Sequence, residues 1–150
     1  MRLHRIVLAV LLVGGRYVMQ LRDDKPGIAA PGLWGLFGGE VERGEEPSAA
    51  VLREVEEELS IRLTSCCFLF DVEDHLQASG DTAVYSLFEA DMTRQWGLHH
   101  LREGQDVQHH AFVDLAQLKM PGVIRAVLDW HYQTRGSSGV EQLSPSARQG

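Results

Sequence analysis

The chain predicts an α/β domain in which helices are layered on a sheet. Three observations predict it. An apolar, β-branched-rich run from His4 to Val13 passes through Gly14-Gly15 into Arg16 to Leu21, the pattern of a β-hairpin. The stretches from Pro47 and from Gly122 carry apolar residues at helical spacing. Strand-like segments lie between them, and two strands, a helix, further strands and a closing helix bury their apolar sides best as layers.

With 150 residues the chain has the length of one domain with its own core. That domain is expected over residues 1–135, and the Ser- and Gly-rich residues 136–150 as a flexible tail. Hydrophobic residues make up 44% and charged residues 23%, an ordinary globular balance. The net charge of −7 is unevenly placed, since Gly38 to Ile61 holds eight Glu against Arg43 and Arg53. This argues against polymeric nucleic acid as a partner, because phosphate backbones are bound by basic patches. A small phosphorylated molecule remains compatible, provided that cations neutralise the acidic stretch.

The hairpin run following Arg2 and Arg5 is well short of the roughly 20 residues that cross a bilayer, and no small-residue cleavage site follows it. It is expected to be a buried strand, with no membrane partner. Cys66 and Cys67 are adjacent and match neither a zinc spacing nor a disulfide framework, which points to a reducing, cytoplasmic setting.

After the hairpin, Arg22 to Gly35 is punctuated by Pro26-Gly27 and Pro31-Gly32 and reads as a loop, a common border of binding sites. Arg22, at its start, is a candidate substrate-binding residue. Gly38-Gly39 reads as a turn. Pro47 then opens a helix, at the position where its fixed φ is favoured. At about 100° per residue, Ser48, Leu52, Val55 and Leu59 share the face to be buried, and Glu54, Glu57 and Glu58 share nearly the opposite one. Ile61 to Val72 reads as a strand ending in an acidic turn at Asp71, Glu73 and Asp74. Ala83 to Met92 is a further strand, with Glu89 facing solvent. Thr93 to His100 is irregular, Val107 to Val113 is strand-like, and Asp114 to Leu118 is a short helical turn. Gly122 to Gln133 is an amphipathic helix with Trp130 in the core. His99, His100, His109 and His110 form no chelating set, since neighbours on a strand point to opposite faces.

The acidic helix face is not what stability alone selects. Glu54 and Glu58 are like charges four residues apart, which costs a few tenths of a kcal/mol, roughly. A hard divalent cation with oxygen ligands, Mg²⁺ or Mn²⁺, turns that repulsion into coordination, and Arg53 lies one turn from Glu57. The alternative is a solvated, Glu-rich helix of structural role only.

Gly39, Glu45, Arg53-Glu54-Val55, Glu57-Glu58 and Ser60-Ile61, at spacings of five, seven, one and one residues, resemble the signature of the Nudix hydrolases. Every fixed position matches except Ser60, where the family has Gly. A Gly there ends the helix in a left-handed conformation, which Ser adopts only at a cost of about 1 kcal/mol. The resemblance implies a Nudix fold, a mixed β-sheet sandwiched between α-helices, and hydrolysis of the diphosphate linkage of a nucleoside diphosphate joined to another group. It implies metal ligation by Glu54, Glu57, Glu58 and the Gly38 carbonyl, with Arg53 and Glu45 orienting them. Family members often take a further ligand or the general base from a Glu after the signature. Glu103 is that candidate, and Glu57 the other candidate base. An aromatic before the Gly pair lies near the base pocket in MutT-like members, so Trp34 either stacks on a nucleobase or sits in the core.

The compact size resembles MutT-type (deoxy)nucleoside triphosphate pyrophosphohydrolases more than the larger ADP-ribose enzymes. Leu36-Phe37 stands where Pro often precedes the Gly pair, so nucleotide sugars, ADP-ribose and dinucleoside polyphosphates stay open as substrates. A Nudix module that senses a nucleotide without cleaving it is the competing class, opposed by the complete set of signature carboxylates. The expected state is a monomer or homodimer.

Overall fold

The computed structural model describes the backbone of residues 1–143 and the side chains of residues 1–135. Its strands are β1 (Leu3–Val13), β2 (Arg16–Leu21), β3 (Trp34–Gly35), β4 (Phe37–Glu40), β5 (Cys67–Leu76), β6 (Asp81–Asp91) and β7 (Asp106–His110). Helix α1 (Pro47–Leu59) falls between β4 and β5, and α2 (Gly122–Leu143) closes the chain.

One mixed sheet is organised around β1. On one side β1 runs parallel to β6 from Leu3↔Thr82 to Leu12↔Asp91, and β6 pairs antiparallel with β5. The other side of β1 is divided between two partners. Its C-terminal end pairs with β2 at Leu12↔Tyr17, whereas its N-terminal half pairs with β4 from Ile6↔Glu40 to Ala9↔Phe37. Where β2 and β4 part company the sheet splits, and the split lies beside the N-terminal half of β1.

The uninterrupted apolar run of β1 follows from burial on both faces. Val7, Ala9 and Leu11 pack with Val51, Val55 and Leu59 of α1, and the alternating Leu8, Val10 and Leu12 pack with Ile124, Val127 and Leu128 of α2. Helix α1 starts at Pro47 and ends at Ser60, which adopts the left-handed conformation, φ 58°, and donates its N–H to Glu56 O at 2.9 Å. Its buried face is Ala50, Val51, Val55, Glu58 and Leu59, whereas Ser48 is exposed.

Several local expectations change. The stretch 61–66 is not strand: β5 joins β6 only from Cys67, opposite Glu89, and Ile61 and Leu63 instead plug the core beside α1. The acidic residues expected to turn belong to β5, with Asp71 and Glu73 on its exposed face, and the chain turns after Leu76. Glu89 is not simply solvated, since His131 and Arg135 bind it. Trp130 is 40% exposed and sets its ring against Phe70 rather than filling the core. Helix α2 continues past Gln133 to Leu143. Of the tail expected over 136–150, the backbone of 136–143 is helical, and 144–150 lie outside the described residues.

Candidate active site

The Gly pair is not a turn but the middle of β4. A Cβ at position 38 would overlap the Val7 carbonyl, and one at position 39 would lie 2.6 Å from Glu54 Cδ. Both positions therefore need Gly for close approach: Gly38 lets β4 lie against β1, and Gly39 makes room for the carboxylate of α1. The Gly38 N–H in turn donates to Glu58 Oε2 at 3.2 Å.

Arg53 binds three Glu carboxylates and a backbone carbonyl from one guanidinium. Its Nε and Nη2 grip Glu45 Oε2 and Oε1 at 2.8 and 3.0 Å, Nη1 reaches Glu54 Oε1 at 2.9 Å and Glu57 Oε2 at 3.2 Å, and Nη2 also donates to Glu40 O. Glu42 is a looser neighbour at 3.8 Å. The two-pronged grip holds the Glu45 carboxyl down at about 2, helped by the Glu42 N–H, and raises the Arg53 guanidinium.

Glu54 and Glu58 go the other way. Burial raises Glu54 above its ordinary range, with Arg53 opposing. Glu58, 6% exposed, is pushed up to about 9, first by burial, then by the Glu103 carboxyl within hydrogen-bonding reach and by the charges of Glu54 and Glu103. Only the Gly38 N–H favours its anion. Glu57 stays more than half exposed at the rim.

Gly38, Gly39, Glu54 and Glu58 line a cleft of about 280 Å³ at the split in the sheet. Glu54, Glu58 and Glu103 form one part of its wall, and Arg22 and Lys25 another. Arg22 is held by Ala29 O, to which its Nε donates at 2.8 Å. A second cavity of about 460 Å³ shares Arg22, Gly38 and Gly39 with the cleft. Its lining is mainly apolar, with Leu8, Leu36, Tyr85 and Ile124 beside Asp74.

Of the residues expected from the sequence, Arg22, Gly38, Glu54, Glu58 and Glu103 line this cleft, whereas Arg53 and Glu57 lie beside it, joined to Glu54 through the Arg53 guanidinium. Trp34 does not join them. Its ring meets His110 edge-on, with centroids 5.4 Å apart, and packs against the α2 side of the core, because β3 pairs with β2 and turns the indole away from the cleft. His99 and His109 pack on Trp96 instead of lining the cleft. Sequence reasoning missed Gln20, Lys25 and the second cavity. Gln20 left a signal, a lone amide in the apolar run of β2.

Among the described residues no three His, Cys, Asp or Glu side chains already enclose a metal position. The chemistry of the donor set nevertheless fits a hard cation. Glu58, Glu54 and Glu103 offer only oxygen, and burial and crowding hold Glu54 and Glu58 toward their neutral forms, a cost that a bound cation would offset.

A family model, NUDIX domain, matches residues 2–131. The chain belongs to the Nudix family. Solved Nudix structures share its fold. A MutT protein from Methanosarcina mazei Go1 superposes with a TM-score of 0.77 at 19% identity, over 89% of this chain and 96% of that one. A MutT NUDIX hydrolase from Burkholderia pseudomallei gives 0.71 at 26% identity, over 86% and 98%. The NUDIX domain of Shewanella oneidensis NrtR, solved with ADP ribose, gives 0.67 at 19% identity, over 89% and 88%. No curated protein matches in sequence. As a Nudix hydrolase the chain acts on pyrophosphate bonds, in a family that generally works with divalent metals. No helix among the described residues is long and apolar enough to cross a membrane.

Proposed function

We propose that this Nudix hydrolase cleaves a (deoxy)nucleoside triphosphate of the MutT type, releasing pyrophosphate. One observation supports the reading: the charged cleft and a mainly apolar cavity have Arg22, Gly38 and Gly39 as common wall residues, so that a ligand with its phosphates in the first can reach the second with its base.

Glu54, Glu57, Glu58 and the Gly38 carbonyl would hold Mg²⁺ or Mn²⁺, and Glu103 would complete the set. When bound, the ion lowers the pKa of a coordinated water and offsets charge on the phosphates. Arg53, gripped by Glu45, holds Glu54 in the cleft wall and ties the more exposed Glu57 to it. Arg22 and Lys25 take the phosphate charge that the carboxylates repel. Glu57 or Glu103 accepts the proton of the water that attacks a phosphorus of the α–β linkage. The P–O bond of that linkage breaks, and the products are nucleoside monophosphate and pyrophosphate, whose charge Arg22 and Lys25 offset as it leaves.

The test is a substrate panel with Mg²⁺ and product identification, covering nucleoside triphosphates, nucleotide sugars, dinucleoside polyphosphates and ADP-ribose, the last because the NrtR domain is solved with it. Nucleoside monophosphate and pyrophosphate from a triphosphate are expected. Tight binding of any of these ligands without cleavage would overturn the reading in favour of a sensing module.

A further inference from the structure

Gln20 is 2% exposed on β2, yet only half of its amide is used. Its Nε2 donates to the Glu103 carbonyl at 2.7 Å, while its Oε1 is buried without a partner. A buried acceptor left unpaired costs stability, and an apolar side chain of similar size avoids that cost. Cross-strand neighbours Val107 and Gly35 give the amide no other use. The side chain therefore weakens the strand it sits in and serves the single bond to Glu103.

That bond acts on a short bridge. Arg102 N donates to Glu58 O at 2.9 Å, tying the bridge to the end of α1. Gln105 N and Nε2 donate to Leu21 O and Arg22 O, both at 2.8 Å, tying it to the end of β2. Between these anchors lies Gly104 at φ +94°, where a Cβ would come 2.8 Å from Gln20 Nε2 and 2.9 Å from Leu21 O. With the ends fixed and a Gly at its centre, the 103–104 peptide is free to rotate unless something holds its carbonyl.

From this geometry we propose that Gln20 is a positioning residue, which clamps the Glu103 carbonyl so that the Glu103 carboxyl stays against Glu58 in the cleft. The proposal rests on the hydrolase reading above and goes beyond it, because it concerns a residue outside the signature.

Gln20→Met keeps the volume and removes the donor. Gly104→Ala attacks the same bond from the other side without touching β2. Each is compared with Glu103→Gln, alone and combined, by Mn²⁺ binding in electron paramagnetic resonance, by steady-state kinetics with saturating Mg²⁺, and by thermal melting. Gln20→Met is expected to melt at the same or a higher temperature. Both variants should weaken Mn²⁺ binding and lower kcat about tenfold or more, with KM within twofold. Neither should lower kcat further in the Glu103→Gln background. A fall in melting temperature with kcat unchanged would overturn the proposal, as would a kcat loss of equal size in both backgrounds. Should the natural chain cleave none of the panel, the hydrolase reading fails by itself. The Mn²⁺ comparison still decides on Gln20, since unchanged affinity in both variants would refute the clamp.

Discussion

Two buried polar clusters on opposite faces of the sheet, one around His131 and one around Glu58, are satisfied in opposite ways, although His110 Nε2 beside Trp34 is also buried without a partner. On the α2 face, His131 is 1% exposed and fully partnered: Tyr17 OH donates to Nδ1 at 2.7 Å, Nε2 donates to Glu89 Oε1 at 2.6 Å, and Arg135 neutralises Glu89 from outside. On the α1 face, Glu58 is 6% exposed among like charges, and Gln20 leaves an oxygen unpaired. A satisfied network holds a fold together, whereas an unsatisfied one is retained against stability for something it binds. The difference marks where the chemistry lies and gives ways to break the comparison.

The largest effect is expected on the α1 face. Glu58→Gln should lower turnover about a hundredfold or more. The same change should raise the melting temperature at neutral pH, because a carboxyl pushed up to about 9 must take up a proton on folding and an amide need not. A variant that lost stability along with activity would show that Glu58 is a structural residue.

His131→Ala should do the reverse. It strands the Tyr17 hydroxyl, at about 1–3 kcal/mol for a buried group left unpaired, empties a buried site, and leaves Glu89 to Arg135 alone. Chemical denaturation should therefore register a loss of several kcal/mol, while turnover per folded molecule stays within about twofold. A specific turnover defect would mean that the two faces are coupled.

Acidity should weaken the α2 face first. Burial, opposed by Glu89, lowers the pKa of His131 below its ordinary value. The unfolded chain thus takes up a proton where the folded one resists it. The contribution of neutral His131 to stability is present above the unfolded value of about 6.5 and is lost as pH falls through the folded one. Urea midpoints measured from pH 8 to pH 5 should drop at the acid end, and should drop less in His131→Ala.

The smallest change expected is at the helix end. Ser60→Gly relieves a left-handed Ser but removes the oxygen that accepts from Arg102 Nε, so the gain should be less than about 1 kcal/mol. A melting curve displaced by more than a few degrees would show that one of the two terms has been misjudged.

Much of this was legible in the residues. The unbroken apolar run of β1 announces burial on both faces, and Glu54, Glu57 and Glu58 announce an acidic helix face. A helical wheel gives direction but not depth, however, so it could not tell that Glu58 is buried and Glu57 is at the rim. Gly38-Gly39 reads as a turn because the sequence carries no sign of what approaches it; only the packing of Val7 and Glu54 shows a strand that needs Gly for space. Trp34 was ambiguous because a loop residue can face either side of the sheet until its partner strand is known. Gln20 was passed over because one amide in a strand has no meaning until the loop that it holds is in view.

The account rests on Glu54, Glu57 and Glu58 gathering a divalent ion. Mn²⁺ titration of the natural chain, of Glu57→Gln and of Glu58→Gln, with the fold of each checked by circular dichroism, tests this most directly. The account predicts saturable binding in the natural chain that weakens at least about tenfold in both variants. Equal Mn²⁺ affinity in all three proteins would contradict it.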